Sequence, residues 1–185
     1  RASLGGNLCN ASPAADAVPA LIAAGAICRI LGSQGERQVS VADIICSPGK
    51  TCLDSDEFVV SLYLPPRPPR SADAYLRLIP RSEMDIAVAG AAVNLTLDSA
   101  DVVVAATIAL GAVSPVPLLV PRAADVILGS KLEADVMTRF KSVVSASCRP
   151  INDKRGTIDY RNHVAGVLAA RAALIAGKRA AREGL

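Results

Sequence analysis

From Ala17 to Ile27 the chain reads AVPALIAAGAI, apolar at almost every position and carrying Gly25 near its end. That spacing predicts a short helix that stops at Gly25 or soon after, followed by a brief strand over Cys28–Leu31. Gly32–Gln38 (GSQGERQ) reads as a turn, and Val39-Ser40-Val41 as the start of the next extended piece. Glu57–Leu64 (EFVVSLYL) has the length and β-branched content of a buried strand. It runs into Pro65-Pro66-Arg67-Pro68-Pro69-Arg70, whose prolines cannot donate to a sheet and favour an extended conformation. The proline run is therefore expected to separate an N-terminal unit, 1–66, from a C-terminal unit, 71–180.

In the second unit, Ile86–Leu97 and Val102–Leu110 are β-prone stretches joined by the polar break Asp98-Ser99-Ala100-Asp101, which predicts an antiparallel hairpin. Arg122–Leu128 and Glu133–Val144 have helical spacing with Gly129 between them. A last helix is expected from about Thr157 to Ala181. Val164, Val167, Leu168, Ala172 and Leu174 should face the core, and Arg161, Arg171, Lys178, Arg179 and Arg182 the solvent. The fold class is α+β.

Composition narrows the picture. The chain has 185 residues, 51% of them hydrophobic, which is ample for a buried core. Mean hydropathy is high at +0.37, but Asp, Arg, Pro or Gly cuts each apolar run short of the ~20 residues of a membrane span. A net charge of +3 and 3% aromatic residues argue against a nucleic-acid partner. The five cysteines are odd in number and form no C-x-x-C pair, which fits reduced thiols and a cytoplasmic location.

The densest candidate chemistry is SLGGNLCNASPAAD, Ser3 to Asp16. Gly5 and Gly6 allow close backbone approach and positive φ, while Asn7, Asn10 and Ser12 add short polar side chains. Ser12 before Pro13, or else Asp16, would cap the following helix, so that its amides point back at the loop in the outline of an anion site. A purely structural turn is the competing reading. Gly49-Lys50-Thr51 is not a P-loop, because the glycine required five residues earlier is Ile44; a turn between strands accounts for it. His163, the single histidine, is expected on the exposed side of the last helix, and the spacing of Cys46 and Cys52 suits structural thiols. Asp153, Arg155, Tyr160 and Arg161 crowd one stretch, as a solvated helix start with local pairing, a docking surface or a domain closure.

Taken whole, Ser3–Asp16 resembles the second FAD-binding motif of the flavoprotein subunit of molybdenum hydroxylases, the xanthine dehydrogenase and carbon monoxide dehydrogenase family. Ser47-Pro48-Gly49-Lys50-Thr51 is similar to that family's GPGKT turn, with Ser47 in place of the first glycine. Glu57–Pro65 resembles its acidic-start strand, Ile79–Val88 (IPRSEMDIAV) the stretch opening its C-terminal domain, and Pro150–Thr157 with Tyr160-Arg161 and Gly166-Val167-Leu168 its closing signature.

The resemblance implies the C-terminal half of a PCMH-type FAD-binding domain, then a carbon-monoxide-dehydrogenase-flavoprotein-type C-terminal domain of a small antiparallel sheet with helices. It implies FAD as cofactor, contacted at its diphosphate by Ser3, Gly5, Gly6 and Asn7. Ser12 would lie nearby, and Asp16 towards a hydroxyl at the ribose or adenine end. The flavin ring is expected near Val60, Leu62 and Arg77. No catalytic acid or base and no metal ligand is implied on this chain. The expected partners are a small iron-sulfur subunit and a large molybdenum-cofactor subunit. Electrons would pass from [2Fe-2S] clusters through FAD to an acceptor. An earlier glycine-rich FAD loop of the family has no counterpart before Ser3, so the chain is expected to be N-terminally truncated and, alone, to bind FAD poorly and be inactive. Asn152 and Asn162 depart from the family's charged residues. The other readings are a flavin-free subunit-assembly module and a stand-alone PCMH-type flavin oxidoreductase.

Overall fold

A computed structural model describes residues 3–81 and 85–182. Ser82, Glu83 and Met84, within the Ile79–Val88 motif, lie outside the described residues. The chain begins with α1 (Leu4–Cys9) and α2 (Val18–Ala23). Pro19 sits in the first turn of α2, where its missing N–H costs nothing, and Val18, Leu21 and Ile22 are buried. Gly25, at φ +68°, ends the helix. Strand β1 (Ile27–Gly32) then pairs antiparallel with β2 (Gly35–Ser40). The turn is thus only Ser33-Gln34, shorter than expected. Glu36, Arg37 and Gln38 belong to β2, an exposed strand whose polar side chains concealed it in the sequence.

After a 3-10 turn at Val41–Asp43 come β3 (Ile45–Ser47) and β4 (Lys50–Thr51), joined through Gly49 at φ +74°. The Ser47–Thr51 motif is a hairpin turn. Strand β5 (Phe58–Tyr63) pairs with β1 to complete a sheet of order β2-β1-β5. It is an edge strand and not the buried one expected: Phe58 is 57% and Tyr63 55% exposed. Only Val59 and Leu62 pack on the core, because a bulge opposite Arg29 and Ile30 sets Val60 between the paired Val59 and Ser61.

Residues 64–68 carry no regular structure, and β6 (Ser71–Leu78) follows, a strand the sequence reading missed. The hairpin of β7 (Ala89–Leu97) and β8 (Val103–Gly111) forms as expected, and β9 (Leu118–Leu119) completes an antiparallel sheet of order β6-β7-β8-β9. Helices α3 (Pro121–Ile127), α4 (Ala134–Ser147) and α5 (Ile158–Arg182) follow close to their expected places.

The sheet is buried on both faces. On one face Ala91, Val93, Leu95, Ile108 and Leu110 pack with Phe140 and Val144 of α4 and a stripe of alanines along α5. Helices α4 and α5 cross closely at Gly166, where a Cβ would come within 2.8 Å of the Lys141 carbonyl oxygen. On the other face Ala92 and Ala109 join the core of the N-terminal elements, covered by α2. Asn94 Nδ2 donates to the Ala23 carbonyl at 3.1 Å, and Pro19 lies so near Gly111 that a Cβ there would sit 2.7 Å from its Cγ.

Two positions on α5 differ from expectation. Leu174 is 42% exposed, because alanines fill the stripe against the sheet and Leu174 falls outside it. Arg161, expected in solvent, is 4% exposed. Its Nη1 donates to the carbonyls of Val88 (2.8 Å) and Ala112 (3.3 Å), and its Nη2 to Asp153 Oδ1 (2.7 Å). The carbonyls flank the start of β7 and the end of β8, so the Asp153–Arg161 cluster acts as a closure that pins α5 to the sheet.

Arg161→Met is expected to lower unfolding stability by about 3 kcal/mol, since it strips two carbonyls and a partly buried carboxylate of their donor. Urea denaturation checks this, with exposed Arg171→Ala as the neutral reference. Gly166→Ala should cost about 1–3 kcal/mol in the same assay, because the obstructing atom is backbone and cannot swing away.

Candidate functional site

The loop glycines fold differently from the sequence reading. Gly5 and Gly6 lie inside α1 in helical conformation, and neither is among the glycines with positive φ. Their value is the missing Cβ. At Gly6 a Cβ would sit 2.9 Å from Ser3 Oγ, which caps the helix by accepting from the Gly6 amide at 3.1 Å. At Gly5 a Cβ would meet nothing within 4 Å, so the first turn is open to solvent there. First-turn amides have no intrahelical acceptor, and Ser3 takes only one of them.

Asn7 Oδ1 accepts from the Ala17 amide at 3.0 Å and so fastens α1 to the start of α2. This is the capping role expected of Ser12 or Asp16. Ser12 instead closes a single turn, its Oγ accepting from Ala14 at 3.2 Å, and the N-cap of α2 is Ala17, with no side-chain bond of its own. Asp16 is thereby released for a longer-range contact. Its Oδ2 accepts from Arg77 Nη1 on β6, while its Oδ1 is shielded from water and accepts no hydrogen bond.

Arg77 reaches Asp16 because of strand alternation. Ala72, Ala74, Leu76 and Leu78 of β6 turn to the C-terminal helices, and Tyr75 and Arg77 turn to the N-terminal elements. Gly90, opposite Arg77, gives Tyr75 its room, since a Cβ there would lie 2.9 Å from the Tyr75 hydroxyl. Burial, reinforced by the Asp16 charge, pushes the Tyr75 phenol up to about 12. The half-exposed Asp16–Arg77 pair adds at most about 1 kcal/mol. Its importance is positional: it fixes the carboxylate at the junction of the two units.

Ser3, Gly5, Gly6, Asn7, Asp16 and Arg77 thus form one connected set. Leu62, on β5 opposite Cys28, is half-buried and adjoins the set where α1 meets β5. Val60 is exposed, and Ser12 lines a separate concavity with Arg161. The sequence reading missed Arg37, whose Nε and Nη2 grip Glu57 at 2.6 and 2.7 Å. With the Asp54 amide, that grip holds the Glu57 carboxyl down to about 2 and locks the start of β5 to β2. A lone arginine opposite an acidic strand start was the available signal. Cys28 and Cys148 are buried and Cys9 and Cys46 exposed, all without disulfide partners, and His163 is exposed.

An open, glycine-lined helix turn and a half-exposed carboxylate paired with an arginine suit a ligand with a diphosphate and hydroxyl groups. These residues fit FAD.

Residues 1–67 match the FAD binding domain in molybdopterin dehydrogenase, and residues 74–176 match the CO dehydrogenase flavoprotein C-terminal domain. The fold and these matches define an α+β flavoprotein chain. It belongs to the family of FAD-binding subunits of molybdenum hydroxylases. The chain is 33% identical to the carbon monoxide dehydrogenase medium chain of Afipia carboxidovorans, over 96% of its own length and 61% of that chain. It is 26% identical to the xanthine dehydrogenase FAD-binding subunit of Escherichia coli O157:H7, over 88% of its length and 56% of that protein. Among solved structures it superposes on cyanide-inactivated Cu,Mo-CO dehydrogenase with a TM-score of 0.90 at 30% identity, covering 96% of this chain and 61% of that one. For quinoline 2-oxidoreductase of Pseudomonas putida 86 the TM-score is 0.87 at 28% identity, with coverage of 97% and 62%. The chain spans about three fifths of the length of these relatives.

The phenol of Tyr75 carries a testable linkage. Its folded value, about 12, lies above the ordinary tyrosine value of about 10, so its contribution to stability is complete below pH 10 and is lost as pH rises through 12. Tyr75→Phe is expected to flatten that part of the stability profile, measured by urea denaturation at pH 9 to 12.

Proposed function

We propose that this chain forms the FAD-binding part of an electron-transfer subunit of a molybdenum hydroxylase, receiving electrons from [2Fe-2S] clusters and delivering them to an acceptor. The observation that carries the reading is the open first turn of α1, which Asn7 fastens to Ala17, next to the Asp16 carboxylate that Arg77 holds through Oδ2. In this reading the first-turn amides of α1 receive the FAD diphosphate, and Gly5 keeps the approach clear. Asn7 holds α1 in line with α2, and the half-exposed Asp16 carboxylate accepts from a cofactor hydroxyl. Arg77 orients that carboxylate and offsets negative charge, while Leu62 contributes apolar surface at β5. FAD, when bound, supplies the redox chemistry that joins one-electron carriers to a two-electron acceptor.

The domain division at the proline run, 1–66 and 71–180, belongs to the same proposal. Its partners are a small iron-sulfur subunit and a large subunit with the molybdenum cofactor, and likeness to medium chains and FAD-binding subunits supports this. The five free thiols support a reducing compartment such as the cytoplasm. Among the described residues no helix is long and apolar enough to cross a membrane.

Asp16→Ala is expected to weaken FAD binding on the order of tenfold or more, as loss of a charged hydrogen bond does, and Gly5→Val to weaken it comparably by covering the first turn. Flavin fluorescence titration of the full-length subunit checks both. A full-length subunit that takes up no FAD, or one whose affinity ignores both changes, would overturn the reading.

A further inference from the structure

A second concavity, of about 450 Å³, opens where the two units meet. Pro13 and Pro48 wall it from the N-terminal elements, and Ile86, Pro115, Pro150 and Ile151 from the C-terminal ones. Four of those six are prolines, whose fixed φ makes the walls stiff. The volume falls in the range of small-molecule sites and suits a body of about a dozen non-hydrogen atoms.

The polar residues lining this apolar setting are Arg149, Arg155, Arg161 and Asp153, with Ser12 and Ser114 as hydroxyls. Arg155 pairs with Asp85 at 3.2 Å and Arg161 with Asp153 at 2.7 Å. Arg149 donates to the backbone carbonyls of Ala146 and Cys148, at 2.8 and 2.6 Å, and among the described residues meets no carboxylate. Arg149 is therefore the lining guanidinium that has no carboxylate partner among the described residues. Arg161 adds a second signal, because its buried Nε makes no hydrogen bond although its other two nitrogens do. A buried donor left unpaired is costly, and Arg161 is among the residues that line the cavity.

We propose that this cavity binds a small carboxylate with an apolar ring or branched-chain body. The carboxylate answers the Arg149 guanidinium, and the apolar body fills the proline-walled space. Inorganic phosphate has the charge without the body; a neutral alcohol has the body without the charge. The ligand touches both units, so its binding favours the closed junction between them and raises the unfolding temperature by mass action. The proposal stands on the cavity itself and does not depend on the flavin reading.

Calorimetric titration of the full-length, FAD-saturated protein with benzoate and with benzyl alcohol tests it. Benzoate should bind saturably at one site, with benzyl alcohol and phosphate at least tenfold weaker. Ile151→Glu places a competing carboxylate at the mouth, on a side chain that is 70% exposed and so leaves folding intact. It should weaken benzoate at least tenfold with an unchanged unfolding midpoint in the absence of ligand, and Arg149→Met should weaken benzoate at least as much, with folding of that variant checked by its cooperative unfolding transition. No saturable binding of benzoate, phenylacetate or isovalerate overturns the proposal. So does equal affinity for the alcohol, indifference to both substitutions, or competition between benzoate and FAD. If an added partner subunit expels benzoate, the cavity is a polypeptide interface and the small-carboxylate site is rejected.

Discussion

The burial of both faces of the β7–β8 hairpin constrains everything else in this chain. A four-stranded antiparallel sheet can leave one face to water, but here the second face carries the apolar Ala92 and Ala109 in the core and Asn94 bonded to the Ala23 carbonyl. Helix α2 covers that face, and it approaches so closely that Gly111 must be glycine where Pro19 touches it. Because α2 is held there, the segment before it is held too, and α1 and Asp16 come to rest against β6. The placement of α1 and Asp16 is thus a by-product of how a sheet hides its small residues.

That arrangement explains why charged side chains at the junction are few and specifically paired. Asp16–Arg77 contributes little free energy where it stands half in solvent. Arg161, by contrast, is surrounded by protein and bonded to two carbonyls and a carboxylate, so its removal leaves acceptors unmet. The first pair sets position; the second residue sets stability.

Much of this was legible in the sequence where one physical rule dominated. The β7–β8 hairpin followed from two apolar runs and a polar break, and α3, α4 and α5 from their spacing. Strand β6 escaped notice because its apolar half is alanine-rich and its other half carries Asp73, Tyr75 and Arg77, an alternation that looks like linker beside a proline run. Arg161 was misplaced because helical periodicity says which face a residue occupies and not whether a backbone carbonyl waits above that face. The Ser3–Asp16 motif stood out as the densest polar and glycine stretch, but its local geometry was not legible: Asn7, rather than Ser12 or Asp16, secures α2, and only the folded chain shows that this frees Asp16 for Arg77.

Strand β5 ends at Tyr63 and is followed at once by Pro65-Pro66-Arg67-Pro68-Pro69. As the outer strand of its sheet it presents unpaired backbone groups alongside the exposed Phe58, Val60 and Tyr63, a template on which another chain could in principle zip. The prolines end that template abruptly, since four of the five residues after Leu64 have no N–H to offer and hold a conformation that a neighbouring strand cannot follow. A run that reads as a mere spacer therefore also serves as a terminator, limiting growth along this edge of the small sheet to the six residues of β5.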